Sequence, residues 1–68
     1  MGFLSGKNSG LNWEVQSNFS ETFKQYSAHV RVGTTYKVTE YYDLLADAMD
    51  AGCQLLADTL AELEDILP

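Results

Sequence analysis

The stretch from Thr39 to Pro68, TEYYDLLADAMDAGCQLLADTLAELEDILP, has the clearest periodicity in the chain. Its large apolar side chains recur at steps of three, four and seven residues, which places them on one face of an α-helix. They are Leu45, Met49, Leu56, Leu60, Leu63 and Leu67. Thr39 is a suitable N-cap, and Glu40 and Asp43 suit the positive end of the helix dipole. The sequence therefore predicts one long amphipathic helix over residues 40–67.

The segments before this helix alternate between apolar and polar residues, which is typical of half-buried strands. β-branched and aromatic residues dominate them, and they cover residues 11–19, 24–32 and 35–39. Residues 1–10, with three glycines and two serines, predict a flexible N-terminal lead-in. Residues 11–68 are then a single small α+β domain, a three-stranded antiparallel β-meander followed by one long C-terminal amphipathic α-helix.

The strand pairing can be predicted from the alternation of side chains between the two faces of a sheet. Turns around Glu21-Thr22 and through residues 33–35 place the apolar strand residues on one face, whereas a slip by one residue scatters them. The expected pairs are Val15 with Ala28, Trp13 with Val30, Leu11 with Val32, Val32 with Tyr36, and Val30 with Val38.

Residues 19–30 have a second interpretation as a helix. Phe19, Phe23, Tyr26 and Val30 recur at helical spacing, and Asn18 followed by Glu21 resembles a capping box. Because Thr, Ser, Tyr and Val are mediocre helix formers, the strand interpretation is favoured.

The predicted helix is longer than the predicted sheet. A helix over residues 40–67 spans about 42 Å, whereas strands of about seven residues span about 23 Å. The sheet would leave apolar side chains in the second half of the helix uncovered, so the helix either breaks near Gly52 or pairs with a second copy. Because no turn-forming residue accompanies Gly52, we expect a homodimer. Its interface would consist of Leu56, Leu60, Leu63 and Leu67.

Charge is divided unequally along the 68-residue chain. From Val38 onward there are eight acidic residues and no Lys or Arg, whereas all four basic residues precede that point, and the net charge is −6. This division disfavours nucleic acid and anionic membranes as partners of the C-terminal half and favours a basic protein surface. One cysteine and one histidine cannot form an intrachain disulfide or a structural zinc site, so no cofactor or metal is expected.

The acidic residues of the helix follow one stripe. Like-charge neighbours such as Asp43 and Asp47 cost stability at this spacing, and acids at the helix C-terminus oppose the dipole. Selection for stability would not produce such a surface, so it indicates a binding partner. The alternative is a solvated face that only provides solubility. The predicted partner-binding residues are Asp43, Asp47, Asp50, Asp58, Glu62, Asp65 and, as an aromatic anchor, Tyr42.

Other features argue against catalysis and secretion. His29 with Glu14 resembles an acid–base pair, but no nucleophile accompanies it, so the chain is predicted not to be an enzyme. Cys53 is expected to be a buried thiol. The sequence has neither a signal-peptide pattern nor a run of about 18–20 apolar residues, so a cytoplasmic protein is expected.

Together these features predict a small acidic protein–protein interaction module. Its carboxylate-lined helix face would bind a basic surface, such as that of a nucleic-acid-binding protein, and inhibit or modulate it by occlusion. Phage inhibitors of restriction and CRISPR systems act in this way, and the comparison concerns mode of action, not sequence. The alternative is a homodimeric structural or adaptor module whose C-terminal helix is the dimerisation element.

Overall fold

The computed structural model of the protein describes residues 3–8 and 10–66, with side chains as far as Leu63. The described chain forms four antiparallel strands in the order β1-β2-β3-β4, followed by one long helix, α1. The elements are β1 (Phe3–Asn8), β2 (Leu11–Ser20), β3 (Gln25–Val32), β4 (Thr35–Val38) and α1 (Leu45–Ile66). The predicted α+β fold is confirmed, with one strand more than expected.

The core lies between α1 and one face of the two central strands. Val15 on β2 and Val30 on β3 are opposite each other, and both are fully buried. The other buried apolar side chains are Ala28, Val32 and Ala48. Partly buried side chains surround this cluster: Leu11, Trp13, Met49, Leu55, Leu56, Leu60 and Leu63. The buried centre is therefore built from small side chains, and larger ones seal its margin.

α1 lies close against the sheet at Gly52, which is buried. A Cβ atom on Gly52 would lie 2.7 Å from the Cβ of Ala28 and 2.9 Å from Cγ1 of Val15. Non-bonded carbons normally stay about 3.5–4.0 Å apart, so only glycine allows the helix backbone to lie this close to the strands. The helix continues unbroken through Gly52, and this residue faces the sheet of its own chain.

In the first long hairpin, the predicted side chains face α1, but the strands pair in a different register. Val15 pairs with Val30, not with Ala28, a displacement of two residues that keeps the apolar side chains on the helix side. The loop spans residues 21–24 and ends at Lys24, which has a φ of 56°. Two bonds close it, from Phe23 N–H to Ser20 Oγ at 3.2 Å and from Lys24 N–H to Ser20 O at 2.7 Å. The helical interpretation of residues 19–30 is wrong.

The prediction that Tyr36 and Val38 of β4 lie on the same face as Val30 and Val32 is wrong. Val32 pairs with Thr35 across a turn of two residues, Gly33 and Thr34, where a three-residue turn had been expected. Gly33 has a φ of 59°, the left-handed conformation that a tight hairpin turn requires at its first central position. The shorter turn moves Tyr36 and Val38 to the face away from α1, where they pair with Arg31 and His29 and remain exposed.

Part of the predicted flexible lead-in is an ordered edge strand, since Phe3–Asn8 pairs with β2. Gly6 lies opposite Trp13, and a Cβ on Gly6 would be 2.5 Å from Cζ2 of the indole. The indole of Trp13 therefore lies across the glycine backbone. Sequence composition indicated flexibility, but this glycine makes room for an aromatic ring on the neighbouring strand.

The helix begins at Leu45, not at residue 40. Thr39, the predicted N-cap, instead bonds to β3: its N–H donates to Ala28 O at 2.9 Å, and its Oγ1 accepts from Ala28 N–H at 2.8 Å. Tyr42 and Tyr26 exchange two backbone hydrogen bonds of 2.6 and 2.7 Å. These bonds hold residues 39–42 beside β3, so the helix begins only at Leu45.

Three of the four leucines assigned to a dimer interface pack within their own chain. Leu56, Leu60 and Leu63 lie partly buried against the core, while Leu67 is outside the described residues. The 22 residues of α1 span about 33 Å, and the 10 residues of β2 also span about 33 Å. The premise of an overhanging helix is wrong because the helix is shorter and the sheet longer than predicted. The homodimer itself stays a prediction.

We expect Gly52→Ala to lower the free energy of unfolding by about 1 kcal/mol, measured by urea denaturation with Trp13 fluorescence. Overpacking costs about 1–3 kcal/mol, and the better helix propensity of alanine offsets about 1 kcal/mol of it. Ala28→Gly removes the nearest carbon, so the cost of Gly52→Ala should shrink in that background. A stabilising effect of Gly52→Ala would contradict the close packing.

We expect Gly6→Val to shift the emission of Trp13, the single tryptophan, to longer wavelength, because the new side chain displaces the indole towards water. Ser5→Val is the matched control on the same strand. Ser5 pairs with Glu14 on the opposite face, so this replacement should leave the emission unchanged. Equal spectra for the two variants would show that Trp13 does not rest on Gly6.

Candidate functional site

The exposed side of α1 carries carboxylates without neutralising partners. Asp47 and Asp50 are exposed, and within the described part of the chain neither makes a hydrogen bond or an ion pair. They stand three residues apart, which in a helix places neighbouring side chains about 5–6 Å apart at Cβ. Helical periodicity with Gly52 against the sheet directs both towards solvent. These two residues form the centre of the predicted acidic face.

Asp58 and Glu62 extend this face and have local partners. Gln54 Nε2 donates to Asp58 Oδ1 at 3.1 Å, and Lys37 Nζ donates to Glu62 Oε2 at 2.9 Å. The Glu62 side chain is 63% exposed, so its ion pair with Lys37 contributes under about 1 kcal/mol. Sequence analysis missed this pair because the shorter β3–β4 turn places Lys37 on the helix side of the sheet.

The structure separates Asp43 and Tyr42 from the helix face. Asp43 precedes α1, and its Oδ1 accepts a hydrogen bond of 2.8 Å from Gln25 Nε2. Tyr42 is half-buried and bonded to Tyr26 through the backbone, so the exposed ring at this point belongs to Tyr41. The side chain of Asp65 lies outside the described residues.

An exposed aromatic cluster lies beside the start of α1, and we call it the aromatic end. Phe23 and Tyr41 contact each other with ring centroids 5.0 Å apart, and Phe19 contacts Tyr26 at the same separation. The exposed members are Phe19, Phe23, Tyr41 and Leu44. Aromatic side chains are enriched among residues that dominate binding energy at protein interfaces. Sequence analysis missed this cluster, because it depends on the hairpin loop meeting the residues before α1.

The outer face of the sheet carries a polar pocket of about 180 Å³. Arg31 forms an ion pair with Glu14, and Tyr36 OH forms a hydrogen bond with His29 Nδ1. The predicted pairing of His29 with Glu14 is absent, since Gln16 is the residue opposite His29. Glu14 therefore neutralises a guanidinium and does not orient the imidazole.

Three further observations concern chemistry and location. Cys53, predicted to be buried, is an exposed free thiol on α1. Among the described residues, no group of three or more His, Cys, Asp or Glu side chains could hold a metal ion. No helix in the described ranges is both long and apolar enough to cross a membrane.

Comparison with known proteins adds no family to these observations. No protein-family model matches the chain, and no curated protein and no solved structure matches it either.

Proposed function

We propose that this protein is a small cytoplasmic interaction module that presents the acidic face of α1 to a basic protein surface. The partner is a nucleic-acid-binding protein, and the module inhibits or modulates it by covering its Lys- and Arg-rich groove. The acidic face comprises Asp47, Asp50, Asp58 and Glu62, with Asp43 beside it and Asp65 as its expected continuation.

The observation that carries this proposal is the separation of the cations from the acidic face. Arg31 is paired with Glu14 on the outer face of the sheet, and Lys24 is paired with Glu21 within the hairpin loop. Among the described ion pairs, only that of Lys37 involves a helix acid. Asp47 and Asp50 thus face solvent with no cation of the described chain paired to them. A solubility surface normally intersperses both signs, whereas among the described ion pairs this face meets a cation of its own chain only at Glu62.

The chemistry of such a face suits occlusion of a nucleic-acid site. Carboxylates about 6 Å apart along a helix approximate the spacing of backbone phosphates, and they compete for the same Lys and Arg side chains. Charge attraction speeds encounter and fixes orientation more than it adds affinity. The aromatic end supplies apolar side chains that a partner can cover, which favours slow dissociation.

A homodimeric structural or adaptor module is the second candidate. The aromatic end favours it, because Phe23 and Tyr41 are exposed there in contact with each other. The leucines of α1 no longer support it, since those described pack within one chain.

We expect Asp47→Asn/Asp50→Asn to weaken capture of the basic partner from the native host by at least tenfold, and to abolish inhibition of that partner's binding to DNA or RNA. Both effects should diminish as salt rises past about 0.15 M, where the Debye length is about 8 Å. The measurement is titration of the purified partner in the presence of its nucleic acid.

Glu21→Lys is the matched control, because it also changes the net charge from −6 to −4 but lies in the hairpin loop. It should retain inhibition. If both variants lost inhibition equally, the effect would be due to overall charge, and a specific acidic face would be refuted.

For the second candidate, we expect sedimentation equilibrium to give twice the monomer mass at micromolar concentration. Phe23→Asp should return it to the monomer mass, because a charge in the aromatic end opposes its burial. Asp47→Asn/Asp50→Asn should leave the dimer intact. A monomer at all concentrations would exclude the homodimeric module.

A further inference from the structure

A groove of about 400 Å³ lies between α1 and the segment that runs from Val38, the last residue of β4, to Tyr42. Its apolar lining includes Tyr42, Ala51 and Leu55, and its acidic lining consists of Glu40 and Asp58. β4 is the last strand in the sheet order, so one edge of it has no neighbouring strand within the described residues. An apolar, acid-lined groove thus accompanies an open strand edge.

The open edge presents backbone hydrogen-bonding groups. In an antiparallel ladder, residues that bond to the neighbouring strand alternate with residues whose N–H and C=O point the other way. Thr39 donates to Ala28 O, so Thr39 belongs to the set that faces β3. By alternation, Tyr36 and Val38 direct both backbone groups to the open edge.

Charged side chains protect this edge only weakly. Natural proteins discourage strand addition with charged side chains, especially lysine, on the edge strand. Lys37 is the only charged residue of β4, and its ammonium group is bonded to Glu62 on the helix side. The exposed side chains on the other face are apolar, with Tyr36 57% and Val38 49% accessible. The edge is therefore able to accept another strand.

Charge decides which kind of strand it accepts. Glu40 has no side-chain partner among the described residues, and Asp58 accepts only from the neutral Gln54. A second copy would bring the same carboxylates against these, whereas a lysine or arginine would neutralise them. The apolar stem of such a side chain can lie over Leu55 while its charged group reaches Asp58. On the opposite face, β-branched side chains would cover Tyr36 and Val38.

We propose that β4 binds an extended segment of a partner protein by strand addition, and that this segment alternates basic with β-branched apolar residues. Its basic side chains face the groove and α1, and its apolar side chains cover Tyr36 and Val38. The inference rests on the proposed function for the expectation of a basic partner, but it depends on residues other than Asp47 and Asp50. The segment adds antiparallel to β4, like the other strands of this sheet. The proposal thus gives recognition a strand direction and a sequence pattern that charge alone does not specify.

The probe is a blocked seven-residue peptide in which lysine alternates with valine, titrated into the ¹⁵N-labelled full chain. We expect the amide signals of Tyr36 and Val38 to shift. Val38→Pro removes one outward N–H, and proline is tolerated at such edge positions, so binding should weaken about fivefold while the sheet persists. Val38→Ala keeps the N–H and loses only side-chain contact, so it should bind more tightly than Val38→Pro. A peptide alternating glutamate with valine should not bind.

A second measurement leaves the protein unchanged. The peptide residues opposite Tyr36 and Val38 are the valines, so N-methylation of every valine should abolish binding. N-methylation of every lysine places the methyl groups on the far edge and should retain binding. Equal binding of the two methylated peptides would overturn the proposal.

Two other outcomes would overturn it. One is a set of shifts confined to the amides around Asp47 and Asp50. The other is a response of Tyr36 and Val38 to protein concentration alone, which would assign the edge to a second copy. Asp47→Asn/Asp50→Asn should bind the peptide as wild type does. Failure at the edge is therefore distinguishable from failure of the acidic-face function.

Discussion

The close approach of α1 to the sheet at Gly52 determines how the rest of the molecule is arranged. With hydrogen as the only side chain at that point, the helix backbone rests on Ala28 and Val15, and the layer between helix and sheet is thin. A thin layer admits valine and alanine at its centre and leaves leucines to close the margins. It also fixes the rotation of the helix about its axis. Asp47 and Asp50 face solvent because Gly52 faces the strands.

The three kinds of surface on this protein act over different distances. The electric field of the α1 carboxylates acts over about a Debye length, before any contact is made. The aromatic end contributes only on contact, by losing apolar area to water. The backbone groups of β4 are the most directional, since they bond only to a segment in an extended conformation. Lys7, Arg31 and Lys37 lie on strands, and Lys24 lies in the β2–β3 loop. Arg31 and Lys24 form ion pairs with acidic residues of their own hairpin.

Local periodicity predicted much of this fold, and non-local contacts account for most of the differences. The 3.6-residue repeat gave the helix and the exposure of Asp50, and alternation gave the buried faces of β2 and β3. Composition could not reveal β1, because the role of Gly6 depends on an indole from another strand. Tyr42 was misplaced because its backbone pairs with Tyr26, which outweighs the helical pattern of its own segment. The partners of Asp43 and Glu62 likewise come from distant parts of the chain.

The two-residue turn at Gly33 and Thr34 sets the chemistry of the β4 surface without contributing a side chain to it. Because strand side chains alternate strictly, the number of residues in that turn decides whether Tyr36 or Lys37 faces α1. One inserted residue would exchange the two faces of β4 while every side chain remained the same. Insertions and deletions at this turn are therefore a more direct evolutionary route to a different binding surface than substitutions along the strand.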